Sequence, residues 1–238
     1  MSEQGGAAAP RTELPVAELG RRTYAMLNCL VAPRPIAWVT TVDAAGRVNL
    51  APHSYFTVAS AEPPVVSFTS IGRKDSLRNV EATGELVVHV VPWRLRGVVN
   101  LTSVDAPPDV DELALAGLTP LPSLRVRPPR IAQSPAAMEC RLIEVRSFGD
   151  SPRAGHVVFA EVLHVAVDPA VVSDDGLPDP VLMGNATRAD RMNWFALGER
   201  ESIERPRWAD YAAGSAGSAG SAGSAGPEGS PAAGRTAT

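Results

Sequence analysis

The segment SIGRKDSLRNVEATG, residues 70–84, combines two cations, hydroxyl groups and the start of a helix. Lys74 is the only lysine among the 22 basic residues of the chain, and the remainder are arginines. The pattern predicts a strand, a turn at GRK, and a helix that Asp75 or Ser76 would cap. A helix N-terminus presents unpaired N–H groups and a partial positive charge, so this position favours phosphate binding.

Side chains of the same turn could assist in binding this anion. Ser70 and Ser76 offer hydroxyl donors, while Arg73 and Lys74 add positive charge. Lysine binds phosphate as a compact and movable charge, whereas arginine presents a rigid fork. The pattern fits a phosphate site, and it also fits a solvated, well-capped surface helix.

The elements that must position this turn are mostly β-strands. Apolar and β-branched runs predict six strands: 34–42, 48–60, 63–71, 85–91, 136–148 and 156–167. Turn residues between consecutive runs predict one hairpin from the first two strands and another from the last two. Short helices are predicted over 76–83, 94–101 and 109–117. Six strands with few helices favour a barrel or sandwich over a parallel α/β sheet.

The run 48–60 is polar where a core strand would be apolar. Asn49, Pro52, His53 and Ser54 break its alternation. Amide, hydroxyl and aromatic groups beside an anion site suit a planar ligand with polar edges, such as a flavin. An edge strand with solvent-facing polar groups is the alternative.

Composition and charge exclude several classes of function. The chain is 45% hydrophobic and carries a net charge of -4, which gives no reason to expect nucleic acid or an anionic membrane as partner. Cys29 and Cys140 lack metal-type spacing and are expected to be free, buried thiols. His89, His156 and His164 lie in strand patterns without metal-type partners, so no metal site is predicted. The N-terminus does not resemble a secretory signal and no apolar run approaches the length of a membrane helix, so the cytoplasm is the expected location.

Both ends of the chain differ in composition from its middle. Residues 1–19 are small, polar and proline-bearing, and residues 212–238 repeat glycine, serine and alanine. Such segments bury little apolar surface, so both are predicted to be disordered tails. Residues 20–211 are predicted to form one domain.

Two long segments carry a resemblance to a known family. PRPIAWVTTVDAAGRVNLAPHSYFTVASAEPPVVSF, followed by GRKDSLRNVEATGELVVHVV, resembles the flavin reductase-like family with the FMN-binding split β-barrel fold, which includes flavoredoxin. The similarity extends over about residues 22–208. It implies a mostly β, Greek-key type split barrel with a few short helices.

The resemblance also implies which residues bind FMN. Arg34 and Trp38 would lie along the ribityl chain or the ring edge. The isoalloxazine would be lined by Asn49, Ala51, Ser54 and Tyr55. The phosphate would be held by Ser70, Arg73, Lys74, Asp75 and Ser76, with Asp75 orienting its neighbours. Asn79 fits the motif as a structural residue, and His53 either faces the ring or is a core or rim histidine.

The activity implied is that of an FMN-dependent oxidoreductase, in which NAD(P)H passes a hydride to the flavin. Electrons would continue to a flavin or small-molecule acceptor, or to a partner monooxygenase, and a homodimer is expected. Residues 193–208 would close the domain or pack on the outside of the barrel. Two other functions fit the sequence: an FMN-binding electron carrier without NAD(P)H activity, and a split-barrel flavoenzyme with a private substrate.

Overall fold

The computed structural model describes residues 11–107 and 110–208, and strands dominate it. The strands are Arg34–Pro35 (β1), Ala37–Val42 (β2), Val48–His53 (β3), Phe56–Ser60 (β4), Val65–Ile71 (β5), Glu85–His89 (β6), Pro120–Leu121 (β7), Arg130–Ile131 (β8), Ala136–Phe148 (β9), Gly155–Val167 (β10), Ala186–Ala189 (β11) and Asn193–Ala196 (β12). The α-helices are Val16–Leu19 (α1), Arg22–Leu30 (α2), Asp75–Thr83 (α3), Arg96–Leu101 (α4), Glu112–Leu115 (α5) and Pro180–Met183 (α6). Single 3₁₀ turns occupy Trp93–Leu95 and Pro169–Val171.

The main sheet closes on itself through the connection of β3 to β4. Its seven described strands run in the order β3-β2-β6-β9-β10-β5-β4, and every neighbouring pair is antiparallel. Only Ser54 and Tyr55 separate β3 from β4, the two ends of that order. The ring of His53 on β3 lies 4.6 Å from the ring of Phe68 on β5, centroid to centroid. This architecture confirms the predicted split β-barrel with short helices.

Strand β2 separates two apolar clusters. Ala37 and Val39 pack into the first cluster, with Phe68 and Leu77, while Trp38 belongs to the second. Because both faces of β2 are covered, all six of its residues are buried. A strand buried on both faces favours apolar and β-branched residues. Its two buried polar residues are satisfied, since Thr40 donates to the Pro129 carbonyl and Thr41 accepts from Asn49.

The two predicted hairpins are confirmed by the pairing of β2 with β3 and of β9 with β10. The run 48–60 proves to be two strands, because the chain turns at Ser54 and Tyr55. Helix α1 lies inside the stretch predicted as a tail. The three-stranded sheet β1-β11-β12 was not predicted beyond its first strand.

Of the two cysteines, which are both free, Cys140 is buried as predicted but Cys29 is exposed, since it lies on the outer side of α2.

Residues 199–208 belong to a second unit of the chain and are exposed. The predicted tail 212–238 lies outside the described residues. No helix within 11–107 and 110–208 is long and apolar enough to cross a membrane.

Candidate functional site

A cavity of about 610 Å³ is lined by residues of β3, β5, the start of α3 and the segment 102–107. Its volume falls within the range of small-molecule sites in proteins. Nine of the eleven predicted site residues line it: Asn49, Ala51, Ser54, Tyr55, Ser70, Arg73, Lys74, Asp75 and Ser76. Several residues that were not assigned to the site also line it, among them Tyr24, His53, Thr102, Asp105 and Glu112.

The turn between β5 and α3 is held in place by short polar contacts. The Gly72 amide donates to the Ala154 carbonyl at 2.9 Å, and the Ser70 hydroxyl donates to the Gly72 carbonyl at 2.9 Å. Gly72 has a φ of +77°, and a Cβ there would lie 2.7 Å from the Pro152 carbonyl oxygen. Only glycine therefore fits this turn without displacing the neighbouring loop.

Helix α3 begins at the cavity without a capping side chain. The N-cap is Lys74, which cannot accept a hydrogen bond, and Asp75 is the first helical residue. The predicted cap at Asp75 or Ser76 is therefore wrong. The reason is that Asp75 forms an ion pair with Arg78, and the Ser76 hydroxyl is bound to Asn49. The amides of the first turn remain available to an anion in the cavity.

The cations of the turn differ in how firmly they are held. Arg73 forms an ion pair with Glu81 of α3, which fixes its guanidinium beside the helix. The Lys74 ammonium lies 3.8 Å from a carboxylate oxygen of Asp105, whose side chain is almost fully exposed. An exposed pair at that distance is weak. Of these two cations, Lys74 is therefore the one whose existing ion pair an anionic ligand could replace with the smaller loss of free energy.

A buried network of polar side chains connects β3 to α3. The Asn49 amide nitrogen donates to the Ser76 hydroxyl oxygen at 3.0 Å and to the Thr41 hydroxyl oxygen at 3.2 Å. Asn79 donates to the same Thr41 oxygen at 3.1 Å, in the structural position expected of it. Since the Ser76 oxygen accepts from Asn49, its own O–H is free to donate into the cavity.

Aromatic residues form another part of the cavity wall. The rings of Tyr24 and Tyr55 lie 6.3 Å apart at an angle of 31°. His53 is buried, and its Nε2 has no hydrogen-bond partner among the described residues. Burial lowers the pKa of His53 to about 4, against a backbone hydrogen bond at Thr69 that favours protonation. His53 is therefore neutral at pH 7.

Arg34 lies behind this wall. Its Nη1 donates to the carbonyl oxygens of Asn28 and Val31 at 2.6 and 2.7 Å, and its Nη2 donates to that of Asp190 at 3.2 Å. These bonds tie the C-terminal end of α2 to the connection between β11 and β12. The guanidinium carbon also lies 5.8 Å from the Tyr55 ring centroid. Arg34 thus supports a wall residue and does not line the cavity itself.

Trp38 also lies behind the cavity wall. It is fully buried in the second apolar cluster, and its Nε1 donates to the Thr102 hydroxyl at 2.9 Å. Thr102 lines the cavity. Trp38 therefore does not line the cavity as the sequence predicted, because its side chain is packed within the second apolar cluster and contacts the wall residue Thr102 instead.

Glu112 is a cavity residue that the sequence did not reveal. It is only 6% exposed, and its Oε2 accepts a hydrogen bond from the Leu50 amide at 3.1 Å. Burial raises the pKa of Glu112, and the neighbouring charges of Asp75 and Asp111 raise it further. The segment DVDEL marks a helix start, which Asp111 caps, but nothing in it indicates a contact with β3.

The cavity is thus bounded by the turn before α3, a polar middle and an aromatic wall. Among the described residues, no group of three His, Cys, Asp or Glu side chains could hold a metal ion. Phosphate fits the turn, hydroxyl or amide groups fit the middle, and a planar ring fits the aromatic wall.

The chain is similar in sequence to proteins whose names specify no activity. An uncharacterized protein of Halalkalibacterium halodurans is 36% identical over 195 residues, which span 78% of this chain and 92% of that protein.

Two solved structures share the fold over most of the chain. Nitrilotriacetate monooxygenase component B of Bacillus cereus matches with a TM-score of 0.78 and 28% identity, over 83% of this chain and 100% of that one. The 2-nitrobenzoate 2-nitroreductase of Pseudomonas fluorescens matches with a TM-score of 0.75 and 25% identity, over 83% and 98%. Residues 30–215 match the flavin reductase like domain, so the chain belongs to the flavin reductase-like family.

Proposed function

We propose that the chain is an FMN-binding oxidoreductase of flavin reductase type, which uses NAD(P)H as hydride donor and passes electrons to an acceptor. The observation that carries this proposal is the start of α3. An uncapped helix N-terminus, with a lysine as its first flanking residue, opens onto a cavity of suitable size. That arrangement suits a ligand that ends in a phosphate.

The residues present fit this ligand. The first-turn amides of α3, with Ser76, Lys74 and Arg73, would hold the phosphate, while Asp75 orients Arg78 beside them. Ser70, whose hydroxyl donates to the Gly72 carbonyl, would stabilise the turn rather than bind the anion. The ring would lie against the remaining lining residues that the sequence assigned to it: Asn49, Ala51, Ser54 and Tyr55. Bound FMN would supply hydride acceptance and electron transfer, which the side chains cannot provide.

The protein's own contribution is binding and orientation. The network of Asn49, Ser76 and Thr41 fixes one wall, and Arg34 and Trp38 hold other wall residues from behind. Neutral His53 adds no charge to the cavity. The acceptor would be free flavin, a small molecule or a partner monooxygenase, in keeping with the name of the component B relative. A homodimer is the expected assembly.

Anaerobic mixing with nicotinamide nucleotides tests the proposal. The purified protein is loaded with FMN and mixed with NADH or NADPH, and the flavin absorbance is followed. Rapid bleaching by either nucleotide supports the reductase. Absence of bleaching by both, with normal bleaching by dithionite, would leave an FMN-binding electron carrier. If the protein does not retain FMN, the proposal that FMN is its cofactor is wrong.

A flavoenzyme with a private substrate is the second candidate. The 25% identity with a 2-nitrobenzoate 2-nitroreductase favours it, because that relative's name specifies a small aromatic substrate. The two candidates differ in the fate of the electrons. Nucleotide-reduced protein that transfers electrons to added free flavin is a reductase. Protein that reoxidises quickly only with a nitroaromatic acid is a nitroreductase.

A further inference from the structure

Glu112 is a buried carboxylate at the cavity that lacks a cationic partner. Its side chain is 6% exposed, yet within residues 11–107 and 110–208 no lysine, arginine or histidine lies within 4.0 Å of its carboxylate. A buried carboxylate is costly unless cations or several hydrogen-bond donors satisfy it. The Glu112 carboxylate therefore needs further hydrogen-bond donors.

The protein offers this carboxylate backbone amides alone. Oε2 accepts the Leu50 amide at 3.1 Å, and the amide of Glu112 itself also favours the charged form. Two neutral donors leave most of the acceptor capacity of a carboxylate unused. Since Glu112 lines the cavity, a ligand there can supply the missing donors. Burial raises the pKa of this carboxyl group, as expected for an incompletely solvated charge.

The neighbours of Glu112 place it next to the anion-binding turn. Its partner Leu50 follows Asn49, whose amide nitrogen donates to the Ser76 hydroxyl at 3.0 Å. The charge of Asp75 is close enough to raise the Glu112 pKa. The negative charges of Glu112 and Asp75 would repel any further anionic group of a ligand at this position. Neutral hydroxyl groups, which can donate hydrogen bonds to the carboxylate, would be attracted.

We infer that Glu112 accepts hydrogen bonds from hydroxyl groups of the bound ligand and makes the site selective for a phosphorylated polyol attached to a ring. The inference rests on the proposed function. In FMN the ribityl chain carries such hydroxyl groups between the phosphate and the ring. Glu112 is therefore a specificity residue that distinguishes this ligand from a phosphate-bearing ring with a plain alkyl chain.

A ligand pair and a variant pair test the inference together. The ligands are FMN and a flavin whose ribityl chain is replaced by a 5-phosphopentyl chain, which keeps ring and phosphate but has no hydroxyls. The key variant is Glu112→Gln, which retains an oxygen for the Leu50 amide but removes the charge. The control is Glu139→Gln, a fully buried carboxylate that accepts the amides of Leu124 and Arg125 and does not line the cavity.

The measured quantity is the ratio of the two dissociation constants, obtained by flavin fluorescence quenching. We expect the parent to favour FMN, and Glu112→Gln to lose about tenfold of that preference, the contribution of one hydrogen bond to a charged group. Glu139→Gln should keep the parent's ratio even if its melting temperature falls. Should Glu112→Gln fold poorly, Glu112→Asp, which keeps the charge but withdraws it from the cavity, should also lower the ratio.

The outcomes distinguish a failure of the role inferred for Glu112 from a failure of the proposed FMN binding. An unchanged ratio in a folded Glu112→Gln protein, or an equal loss of affinity for both ligands, overturns the inference and leaves FMN binding intact. If the parent binds neither flavin, the proposed function and the inference fail together.

Discussion

At the residue scale, Lys74 stands where a capping serine or aspartate would stabilise the start of α3. A helix without such a cap loses about 1 kcal/mol of stability. The ammonium group instead reaches a cavity wall, beside an exposed aspartate that holds it weakly. Under the proposed function, Lys74 would provide affinity for an anion at the expense of helix stability.

Lys74→Ala is expected to weaken FMN binding by about tenfold to a hundredfold, because a hydrogen bond to a charged group contributes roughly 1.5–3 kcal/mol. Riboflavin lacks the phosphate, so its affinity should hardly respond. Fluorescence quenching titrations of both flavins provide the measurement. Equal FMN affinity in Lys74→Ala and the parent would show that the phosphate binds elsewhere.

Two companion variants sharpen this test. Lys74→Ser supplies a capping hydroxyl, so it should stabilise the protein without ligand by about 1 kcal/mol while still weakening FMN binding. Asp105→Asn removes the competing carboxylate and should tighten FMN binding slightly, with an effect that shrinks as salt is added. Together, the two variants show whether a change in FMN affinity comes from the contact with the anion or from a change in the stability of the fold.

At the element scale, the turn between β5 and α3 sets the direction in which the helix N-terminus points. Gly72→Ala is expected to reduce the free energy of unfolding by more than Gly84→Ala, the glycine that ends α3. Both positions have positive φ, which costs about 1–2 kcal/mol for alanine. Only Gly72 would also place its Cβ against the Pro152 carbonyl, whereas Gly84 has open space.

Urea denaturation without ligand measures the difference. The two variants should differ by at least about 1 kcal/mol, the lower end of overpacking costs. Equal destabilisation would mean that the loop at Pro152 yields freely and that the turn is less fixed than its contacts indicate.

Elements with strong local patterns could be predicted from the sequence. The long strands β9 and β10 and the buried strand β2 are rich in apolar residues, and their pairing follows from short turns. The strands β11 and β12 could not be predicted, since four residues such as ATRA carry no usable alternation. Their position depends on pairing with β1, more than 150 residues earlier in the chain.

Residues that line the cavity could be predicted where they are close in sequence, as in the turn at Ser70–Ser76. It was not predictable where a contact depends on tertiary structure. Glu112 meets Leu50 across 62 positions of sequence, and no spacing rule indicates that approach. The position of Trp38 behind the wall depends on its packing in the second apolar cluster and on its contact with Thr102, 64 positions later in the chain.

At the scale of the whole molecule, two buried histidines make stability depend on pH. The pKa values of His53 and His89 are lowered to about 4 by burial. His89 Nδ1 lies 2.9 Å from the Trp38 carbonyl, and its Nε2 accepts the Ile131 amide at 3.1 Å, which requires an unprotonated Nε2. Both rings are therefore neutral in the folded protein at pH 7.

Stability should fall as the pH is lowered from about 6.5 to about 4. In the unfolded chain these histidines bind protons near pH 6.5, whereas in the folded chain they do so only near pH 4. Their stabilising contribution is thus complete above the unfolded value and is lost on acidification, by up to about 3 kcal/mol for each histidine. Urea denaturation at pH 7.5, 6.0 and 5.0 measures the slope.

His53→Phe should remove a part of that slope, because phenylalanine binds no proton and its ring can still pack against Phe68. The comparison with the parent isolates His53 from the carboxylates that titrate in the same acidic range. A slope identical to that of the parent would mean that His53 accepts a proton as readily in the folded chain as in the unfolded one.

The hydrogen bond between Trp38 and Thr102 has an optical consequence. Trp38 is fully buried, so its emission should lie at the blue end of the tryptophan range. Trp38 is one hydrogen bond away from the cavity, and tryptophan emission overlaps flavin absorption. A flavin that enters the cavity should therefore quench this blue emission by energy transfer. Under the proposed function, Trp38 would serve as an internal reporter of occupancy that follows binding in each variant without a label.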